Sequence, residues 1–152
     1  MTALEQTLQE YYTVVEEAIQ TLNIDPKIAR GNQEGQWNLK RSEREIWIDL
    51  WRMDKDQRVY FQVLSPVMEA PATQLEMLFK ELLTLNDSLI GAAFTIYKDW
   101  IYLKVIREAT GMDSQEALEM MKRVSSYAIE YTPKLRAKYH AHTRAARSAP
   151  QK

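Results

Sequence analysis

Residues 82–103, LLTLNDSLIGAAFTIYKDWIYL, decide the fold of this chain. The first few continue a leucine-rich helix that ends near Asn86, a residue type that tolerates the left-handed backbone conformation found at helix ends. Two runs of alternating apolar side chains follow, the first centred on Phe94 and the second on Leu103, with a Lys-Asp turn at 98–99 between them. A period of two around a short polar turn is typical of a β-hairpin. The segment therefore predicts a helix followed directly by two antiparallel strands.

The residues before this segment predict a second group of strands. Apolar side chains alternate with others over residues 46–51 and again over residues 59–64, and the two runs are separated by the polar turn at 54–56. Residues 37–40 predict a short strand before them. We expect Pro66 and Pro71 to mark a break after the last of these strands, because proline has no N–H for a strand ladder. A leucine-rich helix from about residue 75 to Asn86 follows the break.

Two further helices flank the strands. Thr2 with Glu5 forms a capping-box pattern, and apolar residues recur at helical spacing from residue 4 to residue 22. The Asp-Pro pair at 25–26 stops this helix. Asp113 with Glu116 predicts the start of the last helix. We expect its inward face to consist of Leu118, Met121, Val124, Ala128 and Tyr131.

The order of elements is α-β-β-β-α-β-β-α, which is an α+β pattern. It predicts a twisted antiparallel sheet with helices packed on one face. We expect one domain over residues 1–132 and a basic C-terminal extension over residues 133–152. Residues 131–152 hold six of the 20 basic residues and none of the 21 acids, so an acidic body precedes a basic tail. The basic residues of the tail are Lys134, Arg136, Lys138, Arg144, Arg147 and Lys152.

Composition excludes several classes of protein. The chain has 152 residues, a formal net charge of −1 and no cysteine, so it has no disulfide framework, thiolate zinc site or cysteine nucleophile. No window is long and apolar enough to span a membrane, and the first residues lack the pattern of a secretory leader. These features predict a cytoplasmic protein with no membrane association.

The run at 82–103 resembles the helix-to-hairpin core of YbjN-type proteins, which resemble type III secretion chaperones in fold. The features that carry the resemblance are a leucine-rich helix ending in Leu-Asn, a strand with small residues before Phe94, and a turn containing Asp99. Together with the strands before it and the Asp113-capped helix after it, the resemblance covers roughly residues 3–131. It implies an α-β-β-β-α-β-β-α domain with no known enzymatic site and a tendency to dimerise and to bind other proteins. The basic tail has no counterpart in this pattern.

No arrangement of residues in the sequence predicts catalysis. The two histidines, His140 and His142, lie among basic residues with no side-chain carboxylate within nine positions, which disfavours a metal site. The four glycines form no phosphate-binding loop, and the serines lie in no nucleophile-elbow pattern. We therefore expect no enzyme activity, no cofactor and no metal.

The strands predict a sheet with two unlike faces. The aliphatic face should meet the helices, and the opposite face mixes aromatic and polar side chains, whereas a sheet face left to water is normally polar. Amphipathic aromatics with few charges are typical of an interface core. The residues that we predict to bind a partner are Trp47, Trp51, Tyr60, Tyr97, Trp100 and Tyr102.

Several functions are compatible with this aromatic face. One alternative is that it binds a second copy of the chain or an unidentified protein partner, as in a non-catalytic, chaperone-like interaction module. Alternatively, the C-terminal segment or the first helix covers it within one subunit, or it lines a ligand pocket. A third alternative is a nucleic-acid-associated protein that uses the basic tail, although the face itself offers one base, Lys104, and one acid, Asp49, so nucleic acid is a less favoured partner.

Overall fold

The structure of the chain, a computed structural model, describes the backbone of residues 3–139 and the side chains of residues 7–139. Helices and strands follow in the predicted order, with one short helix added after the first. The elements are α1 (Ala3–Thr21), α2 (Pro26–Ala29), β1 (Gln36–Arg41), β2 (Arg44–Arg52), β3 (Val59–Glu69), α3 (Leu75–Ser88), β4 (Ala93–Tyr97), β5 (Trp100–Glu108) and α4 (Ser114–Tyr139).

The five strands form one antiparallel sheet in the order β1-β2-β3-β5-β4. Its register places Ile48 opposite Val63, and Val63 opposite Val105, so the aliphatic side chains of neighbouring strands share a face. Two-residue turns close the hairpins β1-β2 and β4-β5, at residues 42–43 and 98–99, and all four turn residues have positive φ. Two-residue turns of this kind match the twist of the strands that they join.

The hydrophobic core lies between the aliphatic face of the sheet and the helices, as predicted. Its centre is fully buried, as Phe61 and Ile48 show. Ile96 is an exception: it belongs to the same alternating row but is 50% exposed, because β4 is a short edge strand. The core residues of the sheet are Trp37, Leu39, Ile46, Ile48, Leu50, Val59, Phe61, Val63, Val67, Met68, Phe94, Ile101 and Leu103.

Glu16 joins α1 to β1 through a buried tryptophan, and to the residue after α2 through an ion pair. The Glu16 carboxylate accepts two hydrogen bonds from the Arg30 guanidinium, at 2.7 and 2.8 Å. It also accepts one from Nε1 of Trp37, at 2.8 Å, and Trp37 packs edge-on against Tyr12. The hydrogen bonds from Arg30 hold the pKa of Glu16 below its usual range.

The start of α4 confirms the predicted cap. Oδ1 of Asp113 accepts a hydrogen bond from the backbone N–H of Glu116 at 2.7 Å, which satisfies one of the N–H groups that a helix leaves unpaired at its start. All the side chains predicted to face inward are buried, except that Tyr131 is half-buried.

The expected break at Pro66 is wrong, because β3 continues to Glu69. The register shifts between Pro66 and Met68, and this bulge leaves room for a residue that cannot donate to the ladder. The bulge also presents the carbonyl oxygen of Val67 to α4, where it accepts a hydrogen bond from Nε of Arg136 at 2.6 Å.

Helix α4 runs through Pro133 as far as Tyr139, the last described residue, whereas the sequence predicted that a basic extension begins at Pro133. The apolar face of the helix continues beyond the proline: Leu135 is 2% exposed and Tyr139 4% exposed. The boundary expected after Thr132 therefore falls within a helix. The division of the chain into a domain and a basic extension stays a prediction, and residues 140–152 lie outside the described part.

Candidate protein-binding surfaces

The six predicted partner-binding residues lie on the face of the sheet opposite the helix-side core. Trp51 is the register partner of Tyr60, and their rings lie 6.0 Å apart. The rings of Trp47 and Tyr102 lie 6.1 Å apart, and Tyr97 is opposite Trp100 in the β4-β5 hairpin. We call this group the aromatic face: Trp47, Trp51, Tyr60, Tyr97, Trp100 and Tyr102.

The aromatic face is partly closed to solvent. Trp47, Trp51 and Tyr102 are between 5% and 8% exposed, although none of them belongs to the helix-side core. Tyr60 and Trp100 are half-buried, as is Tyr97. Half of the predicted anchors are therefore already buried in a single chain, and the residues accessible to a partner are Tyr60, Tyr97 and Trp100.

A buried polar group lies between the aromatic side chains. Asp49 is 1% exposed, and its carboxylate accepts hydrogen bonds from Nε2 of Gln62 at 2.8 Å and Nε2 of Gln36 at 3.1 Å. Both glutamines are themselves buried. Since a buried charge is costly without such partners, the three side chains form one polar unit across β1, β2 and β3.

The Tyr60 hydroxyl lies at the turn between β2 and β3. It donates a hydrogen bond to Oδ2 of Asp56 at 2.7 Å. This bond raises the pKa of Tyr60, and the pKa of Asp56 is lowered by its hydrogen bonds from the backbone N–H of Arg58 and from Tyr60. Tyr60 can therefore offer its ring, but not a free hydroxyl, to a partner.

Helix α3 carries an exposed apolar stripe that the sequence prediction missed. Leu78 and Leu82 are buried, but Leu75 is 39%, Phe79 37% and Leu83 69% exposed. The signal was present, because α3 has more apolar residues than one buried stripe requires. We call Leu75, Phe79 and Leu83 the α3 surface. Sequence periodicity could not tell which side of this wide apolar sector would be buried.

The α3 surface lies beside the edge of the sheet. Asn86, near the end of α3, hydrogen-bonds the backbone of Phe94 in β4, which is the edge strand. Ile96 of the same strand is 50% exposed. Two exposed apolar features of the chain are thus carried by neighbouring elements, and exposed apolar area of this kind marks interaction sites.

The basic residues at the end of α4 contact the domain itself. Arg136 binds the carbonyl of Val67, and its pKa is lowered, mainly by burial. Lys138 forms an ion pair with Glu81 at 2.9 Å, and the ammonium of Lys134 lies 6.0 Å from the centre of the Tyr131 ring. The other basic residues of the tail, Arg144, Arg147 and Lys152, lie outside the described residues.

Glu81 also joins α3 to α4. It accepts a hydrogen bond from the Tyr139 hydroxyl at 2.7 Å. Burial, together with this bond, raises the pKa of Tyr139 to about 12. The last turn of α4 is therefore attached to the helix that carries the α3 surface.

Between residues 7 and 139, no three side chains among His, Asp and Glu are grouped so that they could hold a metal ion. Both histidines, at 140 and 142, fall beyond that range. None of the helices in the described part has the length and apolar character that crossing a bilayer requires.

A family model and several solved structures match this chain. The YbjN model, described as "Putative bacterial sensory transduction regulator", matches residues 12–135. Among proteins with curated descriptions, none matches.

The matching solved structures share the fold at low sequence identity. One is the crystal structure of the ExsC–ExsE complex, with a TM-score of 0.61 and 10% identity over 82% of this chain and 92% of the other. A second is the HopA1–SchA chaperone–effector complex, with a TM-score of 0.59 and 10% identity over 84% and 97%. The third is the heterodimeric ExoU–SpcU complex from the type III secretion system of Pseudomonas aeruginosa, with a TM-score of 0.57 and 11% identity over 78% and 94%.

Proposed function

Because the chain belongs to the YbjN family, and its fold is that of type III secretion chaperones, we propose that it is a non-catalytic, chaperone-like module that binds another protein and acts as a homodimer. The observation that carries this proposal is the exposed α3 surface beside the edge strand β4. The protein partner is a separate chain that contacts the accessible part of the aromatic face.

The α3 surface suits a second copy of the same chain. Its apolar residues are flanked on the exposed side by Glu76 and Lys80, one acid and one base. A two-fold interface uses the same patch on both subunits, so a patch with a net charge would repel its copy. Glu76 and Lys80 offset each other; of the other two charged residues of α3, Glu81 is paired with Lys138 and Asp87 lies near the end of the helix. Leu83, which is 69% exposed, gains most from burial.

Introducing a charge into the α3 surface tests the homodimer. We expect the wild-type protein to have twice the mass of one 17.8 kDa chain in size exclusion with light scattering. Leu83→Asp should yield a monomer, because a carboxylate would be buried in the interface. Ile28→Asp is the matched control, since Ile28 is 83% exposed on α2, away from α3, and should leave the dimer intact. A monomeric wild-type protein, or a dimeric Leu83→Asp variant, would contradict the assignment.

The aromatic face suits a protein partner. Tyr97 and Trp100 present rings that are still partly exposed, over a base of buried aromatic side chains that holds them in place. Rigid aromatic anchors contribute much of the binding energy at protein interfaces.

Site-specific photocrosslinking tests the aromatic face. A crosslinking residue at position 97 should capture a discrete partner, and the same residue at position 28, which is 83% exposed on α2, should not. Binding of the purified partner should weaken by about 1–3 kcal/mol on Trp100→Ala. Equal capture from both positions, or unchanged affinity of Trp100→Ala, would contradict this role.

A further inference from the structure

A cleft of about 510 Å³ separates the middle of α4 from the tip of the β1-β2 hairpin and the end of α1. It lies apart from both the α3 surface and the aromatic face. The hairpin contributes Lys40, Arg41 and Ser42, α4 contributes Lys122, Ser125, Ser126 and Ile129, and the segment after α1 contributes Leu22 and Ile24.

The charges that line the cleft all have the same sign. Its lining residues include no acid. Its charges come from Arg41 and Lys122, because Lys40 alternates with Arg41 along β1 and lies on the other face of the sheet, opposite Glu45. Within the described residues, none of the ion pairs involves Arg41 or Lys122. Like charges brought together at the mouth of a cleft repel each other, and an anion between them would remove that repulsion.

Arg41 provides the sharpest indication of a ligand. Its Nη1 atom is buried and has no hydrogen-bond acceptor. Arg41 alternates with Trp37 and Leu39 along β1, so its side chain lies on the helix side of the sheet, under α4. A buried guanidinium nitrogen without a hydrogen-bond acceptor destabilises the protein, and a bound anion would offset this by accepting the hydrogen bond.

The remaining lining sets the character of the ligand. Ser125 already donates its hydroxyl proton to the carbonyl oxygen of Met121 at 2.7 Å, so it is not a free donor. Ile24 and Ile129 form apolar walls, and Ile129 is 41% exposed. The cleft therefore joins a cationic end to an apolar end.

We propose that this cleft binds a small organic anion, a carboxylate or phosphate joined to an apolar group. Arg41 contacts the anion through its guanidinium fork, Lys122 supplies the second positive charge, and Ile24 and Ile129 contact the apolar part. A guanidinium fork matches the two oxygens of such a group. This site goes beyond the proposed protein-binding function and does not depend on it.

Calorimetric titration of the full-length chain tests the site. The probes are phenyl phosphate, benzoate and, as the neutral counterpart of the same shape, benzyl alcohol. We expect at least one of the two anions to bind with a dissociation constant below about 1 mM, and benzyl alcohol not to bind. Comparing phenyl phosphate with benzoate shows which anionic group the cleft prefers.

Substitutions of the residues that line the cleft test whether the anion binds there. Arg41→Gln should weaken binding of the anion at least about tenfold, and Lys122→Gln should weaken binding by a smaller factor. Lys55→Gln is the matched control, because Lys55 is an exposed base beyond the opposite end of β2. Arg41→Lys keeps the charge but not the fork, so it should bind more weakly than the wild type and more tightly than Arg41→Gln.

A folding control accompanies the titration. Without ligand, Arg41→Gln should melt no earlier than the wild type, because the buried nitrogen has no acceptor to lose. If Arg41→Gln does not fold, Lys122→Gln against Lys55→Gln decides the question. Absence of binding by both anions at about 10 mM, or equal affinities of the Lys122→Gln and Lys55→Gln variants, would overturn the proposal.

Discussion

The side-chain amide of Asn86 makes two hydrogen bonds to the backbone of one residue, Phe94. Oδ1 accepts from the N–H of Phe94 at 2.7 Å, and Nδ2 donates to its carbonyl oxygen at 3.2 Å. These backbone groups are on the side of β4 away from β5, so the amide acts as a short piece of a missing neighbouring strand. Edge strands with unpaired backbone groups are sites of unwanted pairing between chains. Asn86 thus closes part of the edge and fixes the end of α3 to the sheet.

We expect Asn86→Ala to lower the free energy of unfolding by about 2–3 kcal/mol, because two half-buried hydrogen bonds are lost and the backbone of Phe94 is left without them. Urea unfolding followed by circular dichroism measures the change. Thr84→Ala, an exposed position two residues earlier in α3, should cost less than about 1 kcal/mol. Similar losses for the two variants would contradict the role of Asn86.

Two glycines have nearly the same φ, so replacing each with alanine distinguishes the cost of backbone strain from the cost of a steric collision. Gly35 has φ +78° and Gly111 has φ +75°. A Cβ added at Gly111 meets nothing within 4 Å, whereas one at Gly35 would collide with the carbonyl oxygen of Leu50. Gly111→Ala should therefore cost about 1 kcal/mol, the strain alone, and Gly35→Ala about 3 kcal/mol or more. Thermal unfolding of both variants tests this order, and equal costs would show that the approach of Gly35 to β2 is not restrictive.

Glu16 should make stability depend on pH. Its pKa is lowered in the folded state, so the folded protein binds fewer protons than the unfolded chain as pH falls. The contribution of the carboxylate is complete above about pH 5 and is lost as pH falls through the folded-state pKa. Glu16→Gln should cost about 1 kcal/mol at neutral pH, because Arg30 is 55% exposed and the pair is partly screened.

Urea unfolding across the acidic range measures this linkage. The difference between wild type and Glu16→Gln should shrink as the solution is acidified. Glu17→Gln, on the exposed side of the same helix, is the control and should differ little from wild type at any pH. A difference between wild type and Glu16→Gln that stays constant with pH would rule out the ion pair with Arg30 as its source.

Leu135 tests whether the end of α4 belongs to the core. It lies two residues after Pro133 and is 2% exposed, so Leu135→Ala should destabilise the protein by about 2–5 kcal/mol. Glu130→Ala, at an exposed position of the same helix, should change stability by less than about 0.5 kcal/mol. If Leu135→Ala unfolds at the same urea concentration as Glu130→Ala, the last turns of α4 do not stabilise the domain.

Alternation of apolar residues was sufficient to predict the strands and their faces. Ile48 and Val63 face the helices, and Trp47 and Trp100 lie on the opposite side, because side chains in a strand alternate strictly. The helix cap at Asp113 was predictable because it depends on neighbours in sequence.

Pro66 misled the prediction. It lacks an N–H, which is a local cost, and the sequence suggested that the strand would break there. The decisive contribution is distant: the strand continues past the proline, and Val67 binds Arg136 of α4. A local rule cannot weigh packing between residues that are far apart in sequence.

The exposed side of α3 could not be predicted for a related reason. Leu78 and Phe79 are adjacent and both apolar, yet only Leu78 is fully buried. Which of them faces the core depends on how the helix is placed against β4, and that placement is set by Asn86 and Glu81.

Helix α3 buries few side chains, and this links its folding to association. Only Leu78 and Leu82 of this helix are buried, so its local opening should require much less free energy than unfolding of the whole domain. A second copy on the exposed side would bind the closed helix and not the open one, so it would slow amide hydrogen exchange in α3 by mass action. Helix α3 would then both bind the second copy and depend on it for its order. Dilution alone would therefore increase the local opening of α3.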